Sequence, residues 1–265
     1  GWECNFRNSL GYRNNRPLRI IHSLMLRQSV ELSVVIPCYN EGELLNGNFN
    51  RLYHELLSVG KTFEIVFVDD CSQDETVQTI TEICAEFDCC KSIYNHSNLG
   101  RGATFMIGAD QSEGGIVGFL DIDLEVSEVY LRDVLHELDK GAEVVSVYRT
   151  YKLKWNPIFL IRAFLSNSYK VLVRSYLKVP LKDTESGFKF FKSDVYHELR
   201  KLCKSNHWFW DTEVMAHAYW EGYDVREVKG EFIKNKNKRS TVRIVPDTLE
   251  YLKEIKHLKR RKNRN

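Results

Sequence analysis

Two carboxylates, Asp121 and Asp123, close the apolar run Ile116-Val117-Gly118-Phe119-Leu120. Alternation along an extended segment puts both on one side, where their oxygens can converge on a hard divalent cation that also ligates phosphate. D-x-D is a common pattern, and its weight here comes from context: a carboxylate pair ending a buried strand must be solvated, hydrogen-bonded or metal-bound. A second pair, Asp69-Asp70, follows Glu64 to Val68. It reads either as a helix N-cap with a neighbouring turn acid or as a carboxylate that accepts the base N–H or ribose hydroxyl of a nucleotide. Asn98-Leu99-Gly100-Arg101-Gly102 opens a helical segment. Its glycines permit close backbone approach, and Arg101 beside a helix N-terminus suits an anion such as diphosphate. Asp211 is either the cap of a helix Thr212 to Glu221 or a base that takes a proton from a hydroxyl acceptor, with Glu213 in the first turn. Trp208, Phe209 and Trp210 beside it suit an acceptor-site wall as well as core.

These groups need elements to hold them. Short β-branched runs recur at Leu32 to Pro37, Glu64 to Val68, Lys91 to Tyr94, Ile116 to Leu120 and Glu143 to Val147, as buried strands do. Helical spacing separates them over Leu44 to Leu57, Glu75 to Phe87, Gly102 to Gln111 and Val126 to Leu138, and Ser72-Gln73-Asp74-Glu75 reads as a capping box. Strand and helix alternating at this spacing predict an α/β fold, Rossmann-like, with a mostly parallel central sheet and helices on both faces. Ligands of such sheets bind at the carboxyl ends of the strands. Four successive strand ends here carry polar or acidic groups: Pro37 to Glu41, Asp69 to Ser72, Asn95 to Arg101, and Asp121 to Asp123.

Composition bounds the rest. The 265 residues are 43% hydrophobic and 12% aromatic, ample for a core and incompatible with a disordered or collagen-like chain. The net charge of +2 conceals an asymmetry, because Lys234 to Asn265 holds 12 Lys/Arg against 3 Asp/Glu. The remaining body is acidic, which argues against a specific nucleic-acid footprint. Seven cysteines, an odd number without a CxxC pair, are expected to be reduced thiols in a cytoplasmic protein. No stretch has the apolar length of a membrane span and no signal peptide is legible, so the expected location is cytoplasmic or peripheral on the cytoplasmic membrane face. Trp155 to Val173, with Arg162, Lys170 and Arg174 among its apolar residues, reads as a lipid-surface helix or a buried helix pair. In the basic tail, Leu252, Ile255 and Leu258 fall on one face, and its cations suit an anionic membrane surface.

The segments Val34 to Glu41, Val68 to Thr76, Asn98 to Gly102, Asp121 to Asp123, Ser146 to Arg149, Asp183 to Lys189 and Trp208 to Glu213 resemble, in order and spacing, family 2 glycosyltransferases of the GT-A fold. Within that family the chain is most similar to the dolichyl- and polyprenyl-phosphate mannose or glucose synthase type. The resemblance covers a single GT-A domain (31–235); residues 1–30, which show no clear period, read as an N-terminal arm, and 236–265 as a basic C-terminal tail with an amphipathic helix. It implies an inverting transfer from a UDP- or GDP-sugar to a polyprenyl phosphate or a lipid-linked or surface glycan. Pro37, Tyr39 and Glu41 would line the nucleotide pocket with Asp69 and Asp70. Asp121 and Asp123 would position the diphosphate through Mg²⁺ or Mn²⁺, with Glu185 an added ligand or a loop carboxylate. Arg149 and Arg162 would meet the diphosphate or an acceptor phosphate, and Trp208, Trp210 and Glu213 would face the acceptor. The chain departs from the family at Cys71, where Gly or Asn is usual, and at Glu185, where Thr or Gln is common.

Two further readings stay open at this stage. A transferase acting on a sugar hydroxyl would use Asp211 as base, whereas a phosphate acceptor is already an anionic nucleophile. A sugar-nucleotide-binding module would hold the donor without turnover. A nucleotidyltransferase is disfavoured, because the first strand-to-helix turn has no glycine-rich phosphate loop.

Overall fold

The computed structural model describes residues 29–151, 169–234 and 244–264. The N-terminal arm (except residues 29 and 30), Arg162 and most of Trp155 to Val173 lie outside the described residues. The strands are β1 (Leu32–Cys38), β2 (Phe63–Asp69), β3 (Cys90–Tyr94), β4 (Ile116–Leu120), β5 (Val144–Tyr151), β6 (Phe188–Lys192) and β7 (Val225–Phe232). They form one sheet in the order β3-β2-β1-β4-β6-β5-β7. β1 pairs in parallel with β2 and β4, β2 with β3, and β5 with β7; β6 alone among them runs against its neighbours, β4 and β5.

The period of two along each strand divides the core between the two faces of the sheet. Val34 and Ile36 of β1 and Ile65 and Phe67 of β2 face one layer, while Val35, Val66 and Val68 face the other. The first layer receives α1 (Gly42–Ser58), α2 (Thr76–Glu86) and α4 (Leu131–Asp139) through Phe49, Ile80 and Leu135. The second receives α3 (Arg101–Ala109), α5 (Ser193–Leu202), α6 (Trp210–Trp220) and α7 (Ile244–Lys262), with Phe105, Tyr196, Met215 and Leu258 fully or nearly fully buried. Residues 169–177 are helical and add Val173 and Leu177 to this layer. Helices therefore cover both faces, as the strand-helix alternation predicts.

The differences from expectation have local causes. β5 runs past Val147 to Tyr151 because β7 pairs with it over its whole length. β6, β7 and α5 are additions to the predicted elements. The box Ser72 to Glu75 does not form: the Ser72 hydroxyl accepts Asn40 N–H at 2.9 Å, and Asp74 Oδ1 takes the Thr76 N–H at 3.0 Å, starting α2 there. Within the basic tail, residues 244–262 form α7. Ile255 and Leu258 are buried in the second layer and Leu252 is exposed, so α7 belongs to the body of the fold.

Candidate active site

From β1 the chain winds outward to β2 and β3, then returns to β4 on the other side of β1. That reversal opens a crevice at the carboxyl ends of the strands, the usual ligand position in such sheets. Because β6 runs the other way, the segment that precedes it, 183–187, arrives at this same edge, where Asp121 N–H donates to Gly187 O at 3.0 Å. A Cβ at Gly187 would overlap Asp121 Oδ2 and Arg101 Nη2, so only glycine lets the backbone cradle these groups.

At the β2 end the two aspartates divide the work. Asp70 accepts the N–H groups of Leu99 and Gly100 at 2.8 and 3.0 Å and the Asn95 amide at 3.0 Å, which ties the loop opening α3 to the sheet. Asp69 accepts Ser72 N–H through Oδ2, while its buried Oδ1 has no hydrogen-bond partner among the described residues. A buried acceptor in that state asks for a donor. Asn40 and Cys71, in the turns beyond β1 and β2, have φ of 56° and 66°, which accounts for the Gly or Asn usual at position 71. Pro37, the last residue but one of β1, is half-buried, Tyr39 is 43% exposed, and Glu41 precedes α1 with its N–H on Thr76 Oγ1 at 2.8 Å.

Arg101 lies between two carboxylates of the crevice. Its Nη2 donates to both oxygens of Asp121 at 2.8 and 2.9 Å, Nη1 donates to Asp211 Oδ2 at 2.8 Å, and the guanidinium carbon lies 4.5 Å from the centre of the Phe119 ring. Although burial opposes its charge, Asp121 and Asp211 hold Arg101 above its ordinary value. Asp211 is not a helix cap: α6 begins one residue earlier, and Asp211 Oδ1 accepts Lys189 Nζ at 2.6 Å. Burial pulls the Lys189 ammonium below its usual value, although Asp211 opposes this. Lys189 also donates to Ser186 O. It is a site residue that reading the sequence leaves unassigned, and the signal is a lone cation between Phe188 and Phe190.

Beside this cluster, Arg149 makes a two-point contact with Asp183 at 2.7 and 3.0 Å, and Lys170 reaches the same carboxylate at 3.3 Å. Despite burial, Arg149 and then Lys170 hold Asp183 well below the carboxylate range. Lys170 therefore points into the site and not toward a membrane. Glu185 lies 3.7 Å from Arg149, and burial pushes its carboxyl up to about 7. Tyr169, Thr212 and Thr184 share hydroxyl contacts at 2.8 and 3.0 Å just behind.

Of the aromatic wall, Trp208 stays 40% exposed with Arg101 5.1 Å from its ring. Trp210 is core: it is 1% exposed and packs on Phe105 and Phe119. Glu213 also leaves the acceptor side. It is fully buried, accepts the N–H groups of Lys204 and Ser205 at 2.9 and 2.7 Å, and pairs with Arg261 of α7. One helix thus turns Asp211 to the crevice, Trp210 to the sheet and Glu213 toward α7.

No group of three or more His, Cys, Asp or Glu side chains able to hold a metal forms among the described residues. Two carboxylates completed by substrate phosphate oxygens are nonetheless a normal donor set for Mg²⁺. Asp121, 38% exposed at its side chain and cradled by Gly187, suits that sharing.

Residues 33–200 match the model of glycosyl transferase family 2, and the chain belongs to that family. It is 29% identical over 205 residues to the glycosyltransferase AglD of Haloferax volcanii, covering 75% of this chain and 32% of that protein. It is 26% identical over 216 residues to the dolichyl-phosphate beta-glucosyltransferase ALG5A of Trichomonas vaginalis, covering 77% of this chain and 66% of that protein. The chain thus spans from a third to just under two thirds of these relatives' length. Its fold is that of the GT-A glycosyltransferases: it superimposes on the mannosyltransferase PcManGT of Pyrobaculum calidifontis, solved with GDP-Man and Mn²⁺, with a TM-score of 0.56 at 16% identity over 83% of this chain and 65% of that one.

Proposed function

We propose that the protein is a glycosyltransferase that moves a sugar, with inversion, from a UDP- or GDP-sugar to a polyprenyl phosphate or a lipid-linked or surface glycan. The observation that carries this is the cluster at the switch point, where Arg101 bridges Asp121 and Asp211 under the loop 183–187. Asp69 Oδ1, buried and unpartnered, receives the nucleotide's N–H or hydroxyl. Asp121 and Asp123 hold Mg²⁺ or Mn²⁺ jointly with the donor diphosphate. Bound there, such a cation would supply Lewis-acid neutralisation of the charge on the nucleoside diphosphate leaving group. Arg101, Arg149 and Trp208 border the transferring sugar and the acceptor.

Asp211 decides between acceptors. Both of its oxygens are already engaged, Oδ1 by Lys189 and Oδ2 by Arg101, which favours an acceptor that arrives as an anion and needs no proton removed. The named dolichyl-phosphate relative supports the same choice. No helix among the described residues is long and apolar enough to cross a membrane. The outer cations of α7 suit contact with an anionic membrane surface that carries a lipid-borne acceptor.

The test is calorimetric titration with UDP and GDP, each with and without Mn²⁺, on the native protein and Asp123→Ala. Metal-dependent binding of one nucleotide, lost in the variant, is expected. Binding of neither refutes the donor reading. Binding with no transfer of that nucleotide's sugar to any polyprenyl phosphate or glycan would leave a binding module in place of the enzyme.

A further inference from the structure

Away from the crevice, an open groove of about 550 Å³ is lined by Arg174, Lys178, Pro180, Lys182 and Tyr219. Three cations converge on it, and none has a carboxylate partner among the described residues. Other surface cations, Lys61, Lys140, Lys201 and Arg132, each pair with an acid at 3.1 Å or less. The acids nearest the groove are committed inward. Glu227 accepts the N–H groups of Lys182 and Asp183 at 2.8 and 2.9 Å, and Asp183 is buried against Arg149. Glu227 thus faces Lys182 from behind, while the lining of the groove itself carries three cations and no acid.

The cations are also held in place. Arg174 donates Nε to Leu181 O at 2.8 Å, which fixes the guanidinium and leaves its two terminal nitrogens for a ligand. Lys182 lies over the Tyr148 ring at 4.3 Å. Lys178 sits just beyond the helical stretch 169–177 with φ of 56°, and that left-handed residue turns the chain so that Pro180 and Lys182 run back beside Arg174. Buried Val173, Leu177 and Val179 anchor the intervening positions. A fixed fork, two ammonium groups and a tyrosine hydroxyl around one open volume are the chemistry that takes phosphate oxygens.

We propose that this groove is a phosphate-binding site separate from the catalytic crevice, taking the phosphate of a lipid headgroup or of a soluble phosphorylated ligand. It stands on its own residues and does not depend on the transferase reading.

The experiment uses the full chain in EDTA. It measures co-sedimentation with phosphatidylcholine vesicles, with and without phosphatidic acid, and calorimetric titration with pyrophosphate. The variants are Lys178→Glu/Lys182→Glu, the charge-keeping Lys178→Arg, and Lys253→Glu/Lys256→Glu on the exposed face of α7. The groove variant is expected to lose affinity about tenfold or more while Lys178→Arg keeps it and the α7 variant loses less. Loss confined to phosphatidic acid vesicles assigns a lipid headgroup, and loss of pyrophosphate binding assigns a soluble ligand. An unchanged thermal unfolding midpoint and circular dichroism spectrum in every variant report an intact fold. Equal losses in the groove and α7 variants, no loss in the groove variant, or no binding of either probe by the native protein would overturn the proposal.

Discussion

Lys189 Nζ lies 2.6 Å from Asp211 Oδ1, and the two side chains are 0% and 2% exposed. A lysine so placed is neither a surface ion pair nor a core residue. It holds one oxygen of the carboxylate at the crevice while Arg101 holds the other. Removing one partner of a buried pair leaves a charge with neither water nor a counter-ion on that side. Lys189→Met is expected to cost about 3–5 kcal/mol in urea unfolding, and adding Asp211→Asn should recover part of it. A loss below about 0.5 kcal/mol would mean the pair is dispensable.

Arg101 competes with any cation for Asp121, since its guanidinium contacts both carboxylate oxygens. Arg101→Gln should therefore tighten Mn²⁺ binding in the absence of nucleotide, by about tenfold if a nearby unit charge is lost. Electron paramagnetic resonance titration measures this directly. Weaker Mn²⁺ binding in Arg101→Gln would show that Arg101 organises Asp121 and does not compete for it.

Glu185 makes stability depend on pH with a definite sign. Its carboxyl sits at about 7 in the fold, against 4.5 unfolded, with burial as the cause and Arg149, Asp183, Asp211 and Lys170 as the charges around it. Between those values the folded chain holds a proton that the unfolded chain has released, so stability falls as pH rises from 4.5 to about 7 and levels off above. Glu185→Gln should remove this slope and gain up to about 3 kcal/mol at pH 8 relative to the native protein. Denaturation curves at pH 5 and pH 8 that differ equally for both proteins would contradict it.

The C-terminal helix is expected to behave as core. Leu258→Ala should cost about 2–5 kcal/mol and Leu252→Ala less than about 0.5 kcal/mol, read from thermal or denaturant midpoints. Equal and small effects would show that α7 adds nothing to the core.

Cys71 occupies left-handed backbone at φ 66°, where a Cβ is strained. Cys71→Gly should relieve about 1 kcal/mol of strain, partly offset by glycine's greater unfolded freedom, and so raise the unfolding midpoint slightly.

The parallel half of the sheet is legible because β1, β2 and β4 are buried on both faces, and burial writes them as β-branched, apolar runs. β7 is an edge strand, so Arg226, Lys229 and Glu231 break up its pattern and no apolar run marks it. Site residues divide along the same line. Asp69, Asp70 and Asp121 follow recognisable strand ends. Trp210 and Glu213 were grouped with Asp211 by adjacency, but the helical period turns them onto different surfaces. The partners Lys189 and Asp183 depend on a reversed strand, and no local pattern announces which way a strand will run.

That reversed strand also sets an order of events as the chain is made. β1 to β4 emerge first, with β4 holding β1 on one side and nothing on the other until β6 arrives after residues 121–187 have been added. At about 5–20 residues per second this interval lasts seconds. Throughout it, a nascent β4 presents an unpaired apolar edge, and Asp121 lacks the Gly187 carbonyl that later receives its N–H. The segment that completes the crevice is thus the one that ends the growing chain's exposure to sticking, and a ribosome stalled in that stretch would display the open edge.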